Sequence, residues 1–127
     1  MIGIQRLMAE LRAVHYAVDG PLESPDILWA IVRCFTIPVG RFAGRIVCIA
    51  IAAPADFPVT PPGGLHVSPA IVPPEQMGGL NVHARYDGSW LPGEWQYWSR
   101  PLPPDTWTPD RPGKRLVAHW NAVFANA

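Results

Sequence analysis

The sequence predicts an α+β domain, in which one antiparallel sheet carries helices on one of its faces. Apolar residues recur with helical spacing at both ends of the chain, and two apolar runs rich in β-branched and aromatic residues lie between them. Residues 69–112 are irregular and crowded with proline, glycine and tryptophan. The 127 residues, of which 49% are hydrophobic, predict a single domain over 1–127 with a substantial core.

An amphipathic helix is predicted near the start of the chain. Its apolar side holds Ile4, Leu7, Met8, Leu11 and Val14 or His15. Arginine and glutamate occupy the opposite side, as in a helix that covers a core. The following "VDGPLESPD" contains one glycine and two prolines, so it is expected to break the helix.

Two strands and a turn come next. Residues 27–37, "ILWAIVRCFTI", and residues 45–53, "RIVCIAIAA", flank the turn "PVGRFAG" and predict an antiparallel hairpin. The second run is apolar on both faces, which is typical of a central strand. A short third strand is expected near residues 64–67.

The stretch "ADFPVTPPGGLHVSP", residues 55–69, predicts a stiff corner rather than a flexible linker. Each proline fixes φ near −65° and removes a donor that could pair with a sheet edge. Phe57 is expected to anchor the corner in the core. The final "KRLVAHWNAVFANA" predicts a helix with one apolar face, formed by Leu116, Val117, Trp120, Val123 and Phe124.

Composition argues against several classes of function. The formal net charge is zero and no basic run occurs, so neither nucleic acid nor a membrane is an expected partner. No secretory signal or membrane-spanning stretch is apparent, so we expect a cytoplasmic protein with reduced cysteines. Neither "GxxxxGK[ST]" nor "GxGxxG" occurs and the histidines are scattered, so we expect no cofactor and no metal.

In element order and in two motifs, the chain resembles the ubiquitin-conjugating enzyme (UBC-like) superfamily, as a divergent prokaryotic member. Five residues match the family's proline-rich turn, which leads from the second to the third strand: Pro54, Phe57, Pro58, Pro61 and Pro62. Three more resemble the "W-S-P" that precedes a helix: Trp107, Thr108 and Pro109. The resemblance implies a UBC-like fold, with a four-stranded antiparallel meander, an N-terminal helix and a C-terminal helix.

The residue that carries the family's chemistry is missing. The family transfers ubiquitin, or a related modifier, through a thioester on a cysteine between an "N-G-x-I" type turn and "W-S-P". In "YDGSWLPGEWQYWSRP", alignment of "DG" with that turn places Trp90 or Leu91 at the cysteine position. No cysteine occurs in 49–127, and the family's "H-P-N" is absent, since Asn81 precedes His83. The resemblance therefore implies a variant that binds without forming the thioester.

Three other side chains offer a nucleophile. Cys34 and Cys48 lie nearly opposite one another in the predicted hairpin, and we expect small buried thiols that form no stable thioester. A disulfide under oxidising conditions and a reactive thiol are the alternatives. Ser89 would need a general base, and His83 is the nearest histidine in sequence, so this pair is a secondary catalytic candidate.

The tract "WLPGEWQYWSRPLPPDTW" is unusually aromatic, and two interpretations of it stay open. The rings either close one end of the sheet or form a partly exposed patch that binds a protein, because Trp, Tyr and Arg dominate binding hot spots. If Trp90 and Leu91 fill the groove of the missing cysteine, neighbouring side chains are free to face outward. The expected contact surface consists of Trp95, Tyr97, Trp98 and Arg100.

Three functional hypotheses follow. The first is a non-catalytic binding subunit, a ubiquitin-conjugating enzyme variant, of a bacterial ubiquitin-like conjugation system. Its partners would be the ubiquitin-like modifier, an activating enzyme or a catalytic conjugating subunit in a hetero-oligomer. The second is an active conjugating enzyme with an atypical nucleophile. The third is a small α+β adaptor unrelated to conjugation.

Overall fold

The computed structural model describes residues 2–83 and 91–127. These residues form one antiparallel sheet and three helices, of which the two long ones pack on the same face of the sheet. The helices are α1 (Gly3–Ala13), α2 (Pro74–Met77) and α3 (Pro112–Ala125), with 3-10 turns at Gly78–Leu80 and Pro104–Thr106. The strands are β1 (Ala17–Glu23), β2 (Leu28–Thr36), β3 (Ile46–Ala52), β4 (Leu65–Ser68), β5 (Val82–His83) and β6 (Gln96–Trp98). The predicted α+β class is confirmed. Among the described residues, no helix has the length and apolar character needed to cross a membrane.

The sheet order is β1-β2-β3-β4-β6-β5, and every neighbouring pair is antiparallel. The first four strands follow one another along the chain, and β6 pairs with β4 and carries β5 on its outer side. The described residues thus form six strands where the resemblance implied four. The two additional strands are only two and three residues long and come from the segment predicted to be irregular.

Strand β1 occupies the stretch that was expected to be a break. It lies at the edge of the sheet, where Pro21 is tolerated because a strand edge does not need every backbone donor. Its register with β2 shifts between Asp19 and Leu22. Gly20 lies in that shift at φ +119°, and a Cβ there would stand 2.7 Å from the backbone oxygen of Trp29. Gly20 and Pro21 are therefore accommodated at the register shift of this edge strand and do not prevent it from forming.

The main core lies between the sheet and the pair α1 and α3. The predicted apolar faces are buried, with Ile4, Leu7, Met8 and Leu11 on α1 and Leu116, Trp120, Val123 and Phe124 on α3. On the sheet side, the ring of Phe35 lies 5.9 Å from that of Trp120 and 6.0 Å from that of Phe124. Val14 and Val117 are only partly buried, because both lie at the margin of the helix pair.

Residues 54–62, the proline corner, connect β3 to β4 without forming a helix. The corner was expected after the second strand and follows the third, because β1 was not predicted as a strand. Phe57 is fully buried, as predicted. Its carbonyl oxygen accepts a 2.9 Å hydrogen bond from the backbone nitrogen of Gly3 at the start of α1. The indole nitrogen of Trp107 donates a 2.8 Å hydrogen bond to the carbonyl oxygen of Pro58. The corner therefore joins the sheet to segments that precede both long helices.

A β-bulge interrupts the pairing of β2 with β3. Val32 pairs with Ile49 and Phe35 with Val47. Between these pairs, Arg33 and Cys34 stand opposite the single residue Cys48. Cys34 is exposed and Cys48 is partly buried. The expectation of a buried thiol is therefore wrong for Cys34, because the extra residue turns its side chain away from the helices.

We predict that Phe57→Ala lowers the free energy of unfolding by about 3–5 kcal/mol, the usual cost of removing a buried phenyl ring. The measurement is urea denaturation followed by circular dichroism. Val59→Ala is the matched control, since Val59 lies in the same corner with 65% of its surface exposed. The control should stay within about 0.5 kcal/mol of the parent. Equal effects of the two substitutions would show that Phe57 does not anchor the corner.

Candidate functional site

The residues predicted to contact a partner divide between the two faces of the sheet. Along β6, successive side chains point to opposite faces. Trp98 faces the helices, is fully buried and lies with its ring 5.1 Å from that of Phe124. Tyr97 faces the other side and is partly buried. The expectation that Trp98 contributes to a contact surface is therefore wrong, because its ring belongs to the main core.

Arg100 and Trp95 flank β6 and make different contacts. A guanidinium nitrogen of Arg100 donates a 2.7 Å hydrogen bond to the carbonyl oxygen of Leu80, and the carbonyl oxygen of Arg100 lies 2.6 Å from Nε2 of His119. Arg100 thus ties the end of β6 to the 3-10 turn and to α3. The indole nitrogen of Trp95 donates to the carbonyl oxygen of Pro92 at 2.9 Å, and its ring is partly exposed.

A second, smaller hydrophobic cluster lies on the sheet face away from the helices. Its buried members are Trp29, Ala50 and Leu91, and partly buried apolar side chains pack around them, Trp95 included. Leu91 is 1% exposed, and the expectation that it fills the groove of the missing cysteine stays a prediction. Trp90 and Ser89, the other residues predicted in this stretch, lie outside the described residues.

Four rings form a row across this face, which we call the aromatic row: Trp29, His66, Tyr97 and His83. The ring of His66 lies 4.9 Å from that of Trp29, edge to face, and 4.9 Å from that of Tyr97. The ring of His83 stacks on that of Tyr97 at 6.2 Å. The row begins at a buried indole and ends at an exposed imidazole. Tyr97, in the middle, is therefore the point where the buried part of this face meets solvent.

Two alanines on β3 allow the row to form. Trp29 pairs with Ala52, and Ala50 pairs with His66, so small side chains occupy the strand between the two rings. The indole nitrogen of Trp29 also donates a 2.9 Å hydrogen bond to the carbonyl oxygen of Ser24. The position of the Trp29 ring is thus set by a polar contact on one side and by the small residues of β3 on the other.

His66 acts as a neutral aromatic ring. It is 2% exposed, and burial lowers its pKa to about 4, because the charged imidazolium loses its hydration. Sequence analysis gave His66 no role. The alternation in "LHVS" carries the relevant signal, since Leu65 and Val67 point into the core and His66 must point to the other face.

The secondary catalytic candidate is only partly within the described residues. His83 is exposed, and its Nε2 lies 3.3 Å from Oδ1 of Asn81, whereas Ser89 is not described. Within 2–83 and 91–127, no three His, Cys, Asp or Glu side chains come together in a way that could hold a metal ion.

No family model, no curated protein and no solved structure matches this chain.

Protonation of His66 should destabilise the fold in mild acid. The pKa of His66 is about 4 in the folded state and 6.5 in the unfolded state. The free energy of unfolding is therefore unaffected by this group above pH 6.5, and it falls as the pH decreases from 6.5 toward 4, because the unfolded state binds the proton more tightly. We expect a loss on the order of 2–3 kcal/mol by about pH 4.5. Urea denaturation at several pH values, compared between the parent and His66→Phe, isolates this contribution from the carboxylates. Identical pH slopes for the two proteins would contradict it.

Proposed function

We propose that the chain is a non-catalytic, UBC-like binding subunit of a bacterial ubiquitin-like conjugation system. The observation that carries the proposal is a contact between the two motifs on which the resemblance depends. Trp107, from the "W-S-P"-like segment, donates its indole hydrogen bond to Pro58 in the proline corner, 49 residues earlier. Its ring also lies 6.1 Å from that of Phe57. Motifs that were matched separately in the sequence therefore form one structural unit.

The order of elements supports the same proposal. An N-terminal helix precedes four strands that are adjacent in the sheet in chain order, and a long helix ends the described chain. The proline corner lies between β3 and β4, and Trp107 lies shortly before α3. This order matches the helix, strands, proline turn and helix that the resemblance implies, except that the turn follows the third strand instead of the second and that β5 and β6 are additional.

The absence of a thiol from the second half of the chain supports a binding role. The last cysteine in the sequence is Cys48, and the position matched to the family's nucleophile is Trp90 or Leu91. Leu91 is buried among apolar side chains, so it neither reacts nor leaves an open groove at its own position.

We assign the partner-binding surface to Trp95 and Tyr97. Both rings are partly exposed on the face away from the helices. Trp95 packs against the second hydrophobic cluster, and Tyr97 contacts the ring of His66 in the aromatic row. Rigid, half-exposed aromatic side chains lose little conformational entropy on binding, which is why they dominate hot spots. The partner in this proposal is the modifier or a catalytic conjugating subunit.

Alanine substitution of either ring should weaken binding without unfolding the protein. We expect Trp95→Ala and Tyr97→Ala each to reduce affinity at least tenfold, a cost of about 1.4 kcal/mol or more. The measurement is calorimetric titration against each modifier, activating enzyme or conjugating enzyme that neighbouring genes are found to encode. Val59→Ala, an exposed apolar change in the proline corner, is the control. Affinities within about twofold of the parent for every partner would place the binding surface elsewhere.

An active enzyme with an atypical nucleophile is the second candidate, and the exposure of Cys34 is the observation that favours it. Incubation with activating enzyme, modifier and ATP, followed by nonreducing gels, separates the two. We expect no thiol-sensitive adduct on the parent protein. An adduct that disappears in Cys34→Ser and persists in Cys48→Ser would establish the enzyme instead, and an alkali-sensitive adduct that resists thiols would indicate a serine ester. Absence of both binding and adducts would favour the unrelated adaptor.

A further inference from the structure

The two cysteines of the chain meet at the bulge in β2. Cys48 is the only residue of β3 opposite the pair Arg33 and Cys34. The chain neighbours of Cys48 on both sides are buried against the helices, so its own side chain points to the other face. Arg33 and Cys34 lie between two residues that are also buried in the main core, and both are exposed. The two thiols therefore share one face of the sheet.

The separation of the two backbones suits a disulfide. Directly opposite residues in an antiparallel ladder have Cα atoms about 4.5–5.5 Å apart. A disulfide requires a Cα separation of about 4.4–6.8 Å. The bulge places Cys34 opposite Cys48, and a Cα separation within this range is what a disulfide requires of the pair.

The backbone at Cys34 gives an independent reason to assign a role to its side chain. Cys34 has φ +55°, in the left-handed region that favours glycine or asparagine. Backbone conformation alone would therefore select another residue at this position. A cysteine here keeps an exposed thiol next to the partly buried thiol of Cys48.

We propose that Cys34 and Cys48 are an oxidisable dithiol that forms a reversible intramolecular disulfide with a low-molecular-weight disulfide as oxidant. The Cys34 thiolate attacks one sulfur of the oxidant, which releases one thiol and leaves a mixed disulfide on Cys34. The Cys48 thiolate then attacks Sγ of Cys34 and releases the second thiol. Two protein thiols lose two protons and two electrons, and the oxidant is reduced to two thiols. The proposal does not depend on the proposed function.

Equilibration of the intact native protein with mixtures of oxidised and reduced glutathione tests the proposal. We expect a monomer whose two thiols disappear together, and peptide mass spectrometry should find residues 34 and 48 in one disulfide-linked species. Dithiothreitol should restore both thiols, and the oxidised protein should melt at a higher temperature because the cross-link closes the hairpin. Cys34→Ser and Cys48→Ser should each form no internal disulfide. A mixed disulfide or intermolecular dimer on Cys34, with Cys48 still reduced, would overturn the proposal.

A second measurement detects the thiol pair without oxidation. Phenylarsine oxide carries trivalent arsenic, which binds two neighbouring thiols by chelation. We expect it to bind the reduced parent protein with one arsenic per chain, and to bind either serine variant roughly a hundredfold more weakly, because chelation raises the effective concentration of the second thiol. Equal affinity for the parent and for both variants would show that the thiols do not meet.

Discussion

The hydrogen bond from the indole nitrogen of Trp107 to the carbonyl oxygen of Pro58 connects parts of the chain that are 49 residues apart. The preceding residue, Phe57, fills the core and accepts a backbone hydrogen bond from Gly3 at the start of α1. Trp107 belongs to the segment that leads into α3. One corner of nine residues therefore positions both long helices on the same face of the sheet. A buried carbonyl that loses its donor costs about 1–3 kcal/mol, so this contact strongly favours one arrangement of the layers.

The central strand β3 gives the two faces of the sheet different properties. It presents Val47, Ile49 and Ile51 to the helices and Cys48, Ala50 and Ala52 to the other side. The large side chains build the main core, whereas the small ones let the Trp29 ring reach across to His66. On the face away from the helices, the aromatic row is therefore buried at Trp29 and His66 and becomes partly exposed to solvent at Tyr97. A rigid, half-exposed surface results without a second layer of helices.

Sequence periodicity predicted the parts of the fold that obey a regular spacing. The apolar faces of α1 and α3 and the hairpin of β2 with β3 are of this kind. Strand β1 was missed because Gly20 and Pro21 disfavour a strand in general, although an edge position with a register shift accommodates both. The bulge at Cys34 leaves no signal in the sequence, since it depends on the pairing register. The sequence also does not show which of Tyr97 and Trp98 is buried. Strand β6 has only three residues, too few for an alternating pattern to indicate which side chain faces the core.

The position of Cys34 bears on whether it could replace the missing nucleophile. Leu91, one of the two residues matched to the family's catalytic cysteine, packs in the cluster of Trp29 near the start of β2. Cys34 lies five residues further along that strand. At about 3.3 Å per residue, the two positions on β2 are roughly 16 Å apart, and the bulge shortens this distance only slightly. Cys34 is thus not adjacent to the buried centre of the cluster that holds Leu91, although Ile31 at the margin of that cluster lies only three residues from Cys34. Chemistry at Cys34 would bring a modifier to the bulge of β2, whereas the proposed contact surface is formed by Trp95 and Tyr97.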